Sequence, residues 1–248
     1  MNDAHGPWAL RARGLRKDYG RGDGLVRAVD DVSLDIACGE LLAVTGPSGC
    51  GKSTLLHLLG GLDRPTAGEL WLAEERIDRY SERALARLRR DQVGFVFQAY
   101  HLMDELTAQE NVELPALLAG RSPREARRRA RQLLKQVGLA DRAGHLPAML
   151  SGGQRQRTAI ARALVNEARL VLADEPTGNL DSAASSDVLR LFEAIRGTGP
   201  TVVIVTHDER VASIADRRIS MRDGALVGDT RLGRPAPGNL AGFTGTGG

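Results

Sequence analysis

Residues Gly46 to Ser53 read GPSGCGKS, the spacing G-x-x-x-x-G-K-[ST] that suits a loop wrapped around phosphate groups. Gly46, Gly49 and Gly51 free the backbone to turn its N–H groups inward, and a helix starting directly afterwards would offer its positive N-terminus to the same anion. Lys52 would reach the β- and γ-phosphates of a nucleotide, and the Ser53 hydroxyl would ligate Mg²⁺. Pro47, Ser48 and Cys50 complete the loop; Thr54 caps the helix or lines the α-phosphate side. Cys50 reads as a small residue whose backbone matters, because a reactive thiol needs an exposed, acidified environment.

Two further clusters could do chemistry. Leu170-Val171-Leu172-Ala173-Asp174 is an apolar run ending in a carboxylate, as required where a buried strand must deliver an acid to the edge of a sheet. Asp174 would hold the magnesium, directly or through its water shell. Adjacent Glu175 would orient and polarise the attacking water as general base. Ser151, Gly152 and Gly153, followed by Gln154, form a hydroxyl-and-amide nest at the start of a helix read as 154–164. An ordinary helix cap is the bland alternative there. One chain cannot present both nests to one phosphate.

The elements that must position these residues follow a βαβ logic. A strand at 41–45 precedes a helix at 52–59, and a strand at 170–173 precedes a helix at 182–195 whose Val188, Leu189, Leu191, Phe192 and Ile195 share one face. Residues 201–205 read as another buried parallel strand. From about Tyr80 to Leu164 the pattern is mainly helical, with Ser122-Pro123 as cap and first position of an Arg-rich helix. From about Gly228 the sequence turns to Gly, Pro and Thr, and residues 228–248 are expected to form a loose tail.

Leu150 to Gln154, LSGGQ, resembles the signature of the ABC ATPases, 23 residues before Asp174, while Gly46 to Ser53 and Asp174 match the Walker A and Walker B positions. The resemblance covers roughly Leu10 to Val227. It implies a P-loop α/β core with a parallel sheet flanked by helices, an antiparallel β subdomain and a helical signature subdomain at about 99–164, in one domain spanning 8–227. It also implies a head-to-tail dimer of two copies with two sandwiched ATP molecules, the signature of one chain completing the site of the other. Gln98 in FVFQ resembles the glutamine that senses Mg²⁺ and the γ-phosphate. Asp181 in GNLD resembles the aspartate that crosses the dimer interface, and His207 resembles the switch histidine that contacts the γ-phosphate. Tyr19 in KDYG resembles the aromatic that stacks on adenine; simple packing is the alternative.

Within that family, RAVDDVSLDI (27–36), VFQAYHLMDELTAQENVELP (96–115) and DEPTGNLD (174–181) look most like the MacB and LolD branch of macrolide or peptide exporters and lipoprotein-releasing machines. The implied partner is a separate membrane permease, with a non-transporting regulator of an extracytoplasmic enzyme or receptor as the alternative. Asp104 departs from the proline usual in that branch. Tyr100, Leu102 and Met103 would cradle a cytoplasmic helix of the membrane subunit or belong to the local core.

The bulk numbers agree. The chain has 248 residues, 42% of them hydrophobic, enough for a sizeable core. Its net charge is +3, and no basic block is interleaved with aromatics, so nucleic acid is not an expected partner. No run approaches the roughly 20 apolar residues of a membrane span and no signal peptide is visible, so a soluble cytosolic chain is expected, which the resemblance implies is held peripherally on the cytoplasmic face of the cell membrane. Cys38 and Cys50 lack zinc-ligand spacing and fit a reducing compartment. The run Arg121, Arg124, Arg127, Arg128, Arg129 and Arg131 reads as a solvated helix face balanced by other charges, with anionic lipid or an acidic partner as the alternative, and is assigned no role.

Overall fold

The computed structural model describes residues 8–196 and 199–233. The chain opens with two long strands, β1 (Trp8–Tyr19) and β2 (Val26–Ala37), followed by β3 (Leu41–Thr45), helix α1 (Lys52–Leu59), β4 (Ala67–Leu72) and β5 (Glu75–Arg76). Helix α2 (Glu82–Gln92) leads into β6 (Val93–Phe97), and three helices follow: α3 (Ala108–Leu118), α4 (Pro123–Gln136) and α5 (Gly152–Leu164). The last part is β7 (Leu170–Asp174), α6 (Ser182–Ile195), β8 (Thr201–Val205), α7 (Glu209–Ile214), β9 (Arg217–Arg222) and β10 (Ala225–Arg231).

These strands form two sheets. One is antiparallel, in the order β2-β1-β4-β5; the other runs β10-β9-β3-β8-β7-β6, parallel throughout except for the edge strand β10. Strands of the parallel sheet are buried on both faces, which is why they read as unbroken apolar runs rather than alternating ones. Their side chains still alternate between two cores. Leu42, Val44, Leu170, Leu172, Val203 and Val205 pack with α1 and the antiparallel sheet. Leu41, Ala43, Val171, Ala173, Val202 and Ile204 pack with α3 to α7 on the other side.

Three boundaries differ from the sequence reading. The stretch from Tyr80 to Leu164 contains β6, a strand of only five residues that pairs in parallel with β7; at that length the apolar period does not separate strand from helix. Helix α5 begins at Gly152, not Gln154, because Ser151 is already its N-cap. The expected tail from Gly228 begins inside β10, which runs on to Arg231. Backbone pairing with β9 and a two-pronged ion pair from Arg217 to Asp229, at 2.7 and 2.6 Å, hold that stretch, although its side chains are mostly exposed. Composition registers side-chain burial and not main-chain pairing. The remaining expected tail residues, 234–248, lie outside the described residues.

The parallel register fixes where chemistry can occur. Phe97 pairs with Asp174, Asp174 with Val205, and Val205 with Val44. Gly46, Gln98, Glu175 and His207 therefore all emerge within a few residues of the same C-terminal sheet edge, where open α/β sheets bind ligands.

Candidate functional site

The loop between β3 and α1 depends on two glycines in particular. Gly46 has φ +152°, and a Cβ there would stand 2.3 Å from the Met221 carbonyl oxygen and 2.8 Å from Cys50 Sγ. Gly51 has φ +99°, and a Cβ would stand 2.0 Å from the Ala28 carbonyl oxygen. Backbone atoms cannot give way as a side chain can, so any larger residue must deform the loop. Cys50 is buried inside this turn.

Helices α2 to α7 each begin with a side-chain cap, from Ser81, Thr107, Ser122, Ser151, Asp181 and Asp208. Helix α1 has none, and its first turn holds no acidic residue. Its leading N–H groups, uncapped by any side chain among the described residues, suit an anion. Beside them, Lys52 is buried, and among the described residues its Nζ donates to the Gly46 and Pro47 carbonyls, each at 2.9 Å. A buried ammonium that makes no ion pair among the described residues fits a polyphosphate group. Ser48 and Thr54 flank this start on the loop and on α1.

At the adjoining strand ends, Ser53 Oγ donates to Asp174 Oδ1 at 3.0 Å. Burial pushes the Asp174 carboxyl above its ordinary value, against the Ser53 hydrogen bond, and neighbouring Glu175 adds to the rise. His57 and Lys52 act against the rise, and a hydroxyl beside this carboxylate is an oxygen donor set that fits Mg²⁺. Glu175 itself has φ +44°, unusual for a side chain of this size, and its N–H donates to the Val205 carbonyl at 2.9 Å. Its carboxylate meets His207: Oε1 lies 3.0 Å from Nδ1, and the His207 backbone N–H points to Oε2 at 3.4 Å.

Gln98 and Asn179 exchange two hydrogen bonds, Gln98 Nε2 to Asn179 Oδ1 and Asn179 Nδ2 to the Gln98 carbonyl, both at 3.1 Å. Tyr19 is partly exposed; its hydroxyl donates to Asp63 at 2.8 Å, the Lys17 ammonium lies 5.0 Å from its ring centre, and its phenol also meets the Thr54 side chain of α1. The ring thus stands beside the phosphate loop.

The signature residues sit elsewhere. Ser151 Oγ accepts from the Gln154 N–H at 3.3 Å and Gln154 Oε1 accepts from the Ser151 N–H at 2.9 Å, a reciprocal capping box. Gly153 is buried, and a Cβ there would stand 2.8 Å from Ala184 Cβ, so this glycine also serves close packing of α5 on α6. Asp181 caps α6 by accepting from the Ala184 N–H at 2.8 Å. Among the described residues no hydrogen bond links Ser151, Gly152, Gly153 or Gln154 to the phosphate loop.

A family model described as ABC transporter matches residues 29–178, more than half of the chain. The chain belongs to the ABC transporter family. It is an ATP-binding cassette, and by that membership an ATP hydrolase. The cassette is similar to macrolide export ATP-binding/permease proteins: 52% identical over 228 residues to MacB 1/2 of Paracoccus denitrificans, covering 92% of this chain and 34% of that one. It is 46% identical over 222 residues to MacB of Agrobacterium fabrum, covering 90% of this chain and 34% of that one. It thus spans about a third of the length of these curated relatives. Among solved structures it resembles the dimeric post-hydrolysis state of the ATP-binding cassette MJ0796 bound to ADP and Pi, with a TM-score of 0.84, 40% identity, and coverage of 91% of this chain and 99% of that one. CbiO1 of Clostridium perfringens, part of the cbiONQ complex, matches with a TM-score of 0.81 at 29% identity, covering 91% of this chain and 89% of that one.

Two residues at the cassette's site escaped the sequence reading. Asn179 looks like an ordinary turn residue, although its place between Glu175 and Asp181 was a usable hint. Arg162 of α5 donates from Nη2 to the Tyr100 carbonyl at 2.8 Å and from Nη1 to the His101 carbonyl, pinning the segment after Gln98; nothing local in the sequence signals that. In the same segment Tyr100 and Leu102 are partly buried and Met103 and Asp104 are exposed. No helix among the described residues is long and apolar enough to cross a membrane.

Proposed function

We propose that this cassette is the ATP-driven motor of a membrane export system, working as one half of a head-to-tail dimer that closes around two ATP molecules. The observation that carries the reading is the convergence at one sheet edge of an uncapped helix start, a buried lysine, the Ser53–Asp174 pair and the Glu175–His207 pair. Gly46 to Thr54 with Lys52 bind the phosphates, and Tyr19 offers its ring to the adenine. Ser53, Asp174 and Gln98 hold Mg²⁺. When bound, that ion neutralises charge on the β- and γ-phosphate oxygens. Glu175 accepts a proton from the attacking water, and His207 both steadies Glu175 and faces the γ-phosphate.

The dimer is supported by the separation of the Ser151–Gln154 helix start from the phosphate loop, between which no hydrogen bond runs among the described residues. Ser151 to Gln154 of one copy close over the γ-phosphate held by the other, with Asp181 at the interface, and the dimeric MJ0796 cassettes support this arrangement. ATP then favours closure because it binds the closed state better, and hydrolysis removes the bridge. Residues 99–164 move as the helical subdomain of a single domain that starts at residue 8 and runs through β10. The permease is proposed from relatives named as joined ATP-binding/permease proteins. No observation favours the non-transporting regulator.

Dimerisation is tested by measuring specific ATPase activity against chain concentration. Activity should rise with concentration and saturate; a value constant down to high dilution, with monomers seen by light scattering in ATP, would sink the dimer. Affinity purification of the tagged chain from its source membranes should recover a polytopic membrane protein. Recovery of a soluble nucleic-acid complex instead would sink the transport reading.

A further inference from the structure

Residues 121–135 hold seven Arg or Lys against a single Glu, a net charge of +6 in a chain whose total is +3. The rest of the molecule is therefore net negative, and the cationic character is local. The structure arranges it as a stripe. Arg124, Arg128, Arg131 and Lys135 recur at four, three and four residues along α4, which places them on one side of a helix about 21 Å long. All four are exposed, while Ala126, Ala130, Leu133 and Leu134 bury the opposite side in the core.

Little inside the protein neutralises the stripe. Among the described residues Arg124, Arg128 and Lys135 have no ion pair, Arg131 donates to the neutral Gln109, and Arg127 reaches Glu113 only at 3.7 Å. A solvated helix face normally alternates its charges, and this one does not. The stripe's three arginines, with Arg127, line an open hollow of about 820 Å³ in which Glu113 and Glu125 are the two carboxylates against four guanidinium groups. Just before it, the last turn of α3 and the Gly120 turn leave two leucines in solvent, Leu117 at 39% and Leu118 at 65% exposure.

From this juxtaposition we propose that the α3–α4 elbow and the outer face of α4 adsorb to an anionic phospholipid surface. The cationic stripe gains from the negative surface potential, and Leu117 and Leu118 enter the headgroup boundary beside it. An acidic protein partner would use the charge but would not call for a solvent-facing leucine pair at its end. Because the apolar side of α4 is committed to the core, the helix lies on the surface and does not insert. The proposal does not rest on the dimer or on any permease.

Binding of the full chain to phosphatidylglycerol-containing vesicles, compared with pure phosphatidylcholine vesicles, tests it by co-sedimentation. Wild type should bind only the anionic vesicles, and more weakly as salt rises. Replacing Arg124, Arg128, Arg131 and Lys135 together by Gln should weaken binding at least about tenfold with basal ATP hydrolysis unchanged. Replacing Arg79, Arg83, Arg87 and Arg190, which are exposed elsewhere, should leave binding intact. The charge-preserving triple change Arg124→Lys, Arg128→Lys and Arg131→Lys should also bind, and it keeps the test valid should the Gln variant misfold. Absence of any preference for anionic vesicles overturns the proposal. So does equal loss in the control set, or capture of polyglutamate by a chain that ignores the vesicles.

Discussion

Nδ1 of His207 lies 3.0 Å from Oε1 of Glu175, joining the end of β8 to the end of β7. The histidine side chain is largely exposed and the glutamate mostly covered, so the imidazole is the movable half of the pair. Glu175 is also held from behind by its own N–H on the Val205 carbonyl. In this arrangement the carboxylate that would accept a proton and the ring that would face the γ-phosphate act as one unit.

Groups that act as a unit lose function together, so their substitutions are not additive. Glu175→Gln should lower ATP turnover by about 10² to 10⁴ while leaving ATP-dependent dimers visible by size-exclusion chromatography. His207→Ala should lose a comparable factor, and the double variant should be little worse than either. Phosphate release measured for all four proteins closes the cycle. Effects that simply multiply would show that the pair works as two separate groups.

Burial raises the Asp174 carboxyl, which gives a signed pH dependence. A carboxyl raised in the folded state takes up its proton more readily there than in the unfolded chain. The nucleotide-free fold is therefore penalised as pH rises from the ordinary aspartate value through the raised one. Asp174→Asn removes that penalty, so at neutral pH without metal or nucleotide it should melt above wild type, by about 1–3 °C. Adding Mg²⁺ with ATP should stabilise wild type and not the variant. A lower melting temperature for the metal-free Asn protein would contradict the assignment.

The parts legible in the sequence were those where a motif and an apolar run met. The strands at 41–45 and 201–205 and the helices at 52–59 and 182–195 lie where the residue pattern put them, because a one-faced helix shows its period and each short apolar run stands next to a motif or a helical pattern that fixes its reading. Ser122 and Glu125 form the capping box that the Ser-Pro start hinted at. Strand β6 and the end of β10 were hidden, since both are defined by a neighbour's backbone. The same holds at the site: Lys52 and Asp174 announce themselves by spacing, whereas Asn179 and Arg162 matter only because folding brings Gln98 and Tyr100 against them.

Gly178 tests the Gln98–Asn179 exchange. A Cβ at this position would stand 2.7 Å from Gln98 Nε2, the far end of a flexible side chain, so Gly178→Ala should displace the glutamine without unfolding the protein. Turnover should fall about tenfold or more, with a higher Mg²⁺ requirement, and Asn179→Ala should reproduce it by removing the other half of the exchange. Melting temperatures near wild type in both variants would separate positioning from stability. Wild-type turnover in both would remove Gln98 from the set that needs placing.

Arg162 poses the corresponding question for the segment that follows. Its guanidinium is partly buried with no ion pair among the described residues, and desolvation lowers its pKa from the ordinary arginine value. It spends its N–H groups on the carbonyls of Tyr100 and His101, two consecutive non-glycine residues at φ +62° and +47°. Such backbone persists only where the surroundings over-determine it. The same stretch meets α5 again through Arg155, whose guanidinium lies 5.1 Å from the Tyr100 ring centre. Arg162→Ala should therefore cost about 2–3 kcal/mol of stability, a drop in melting temperature of about 4–12 °C. It should also reduce turnover more than ATP affinity, because Gln98 lies two residues before the first clamped carbonyl. Arg162→Lys, with one compact ammonium for two carbonyls, should recover part of both. An alanine variant that melts and turns over like wild type would mean that the bend after Gln98 holds itself.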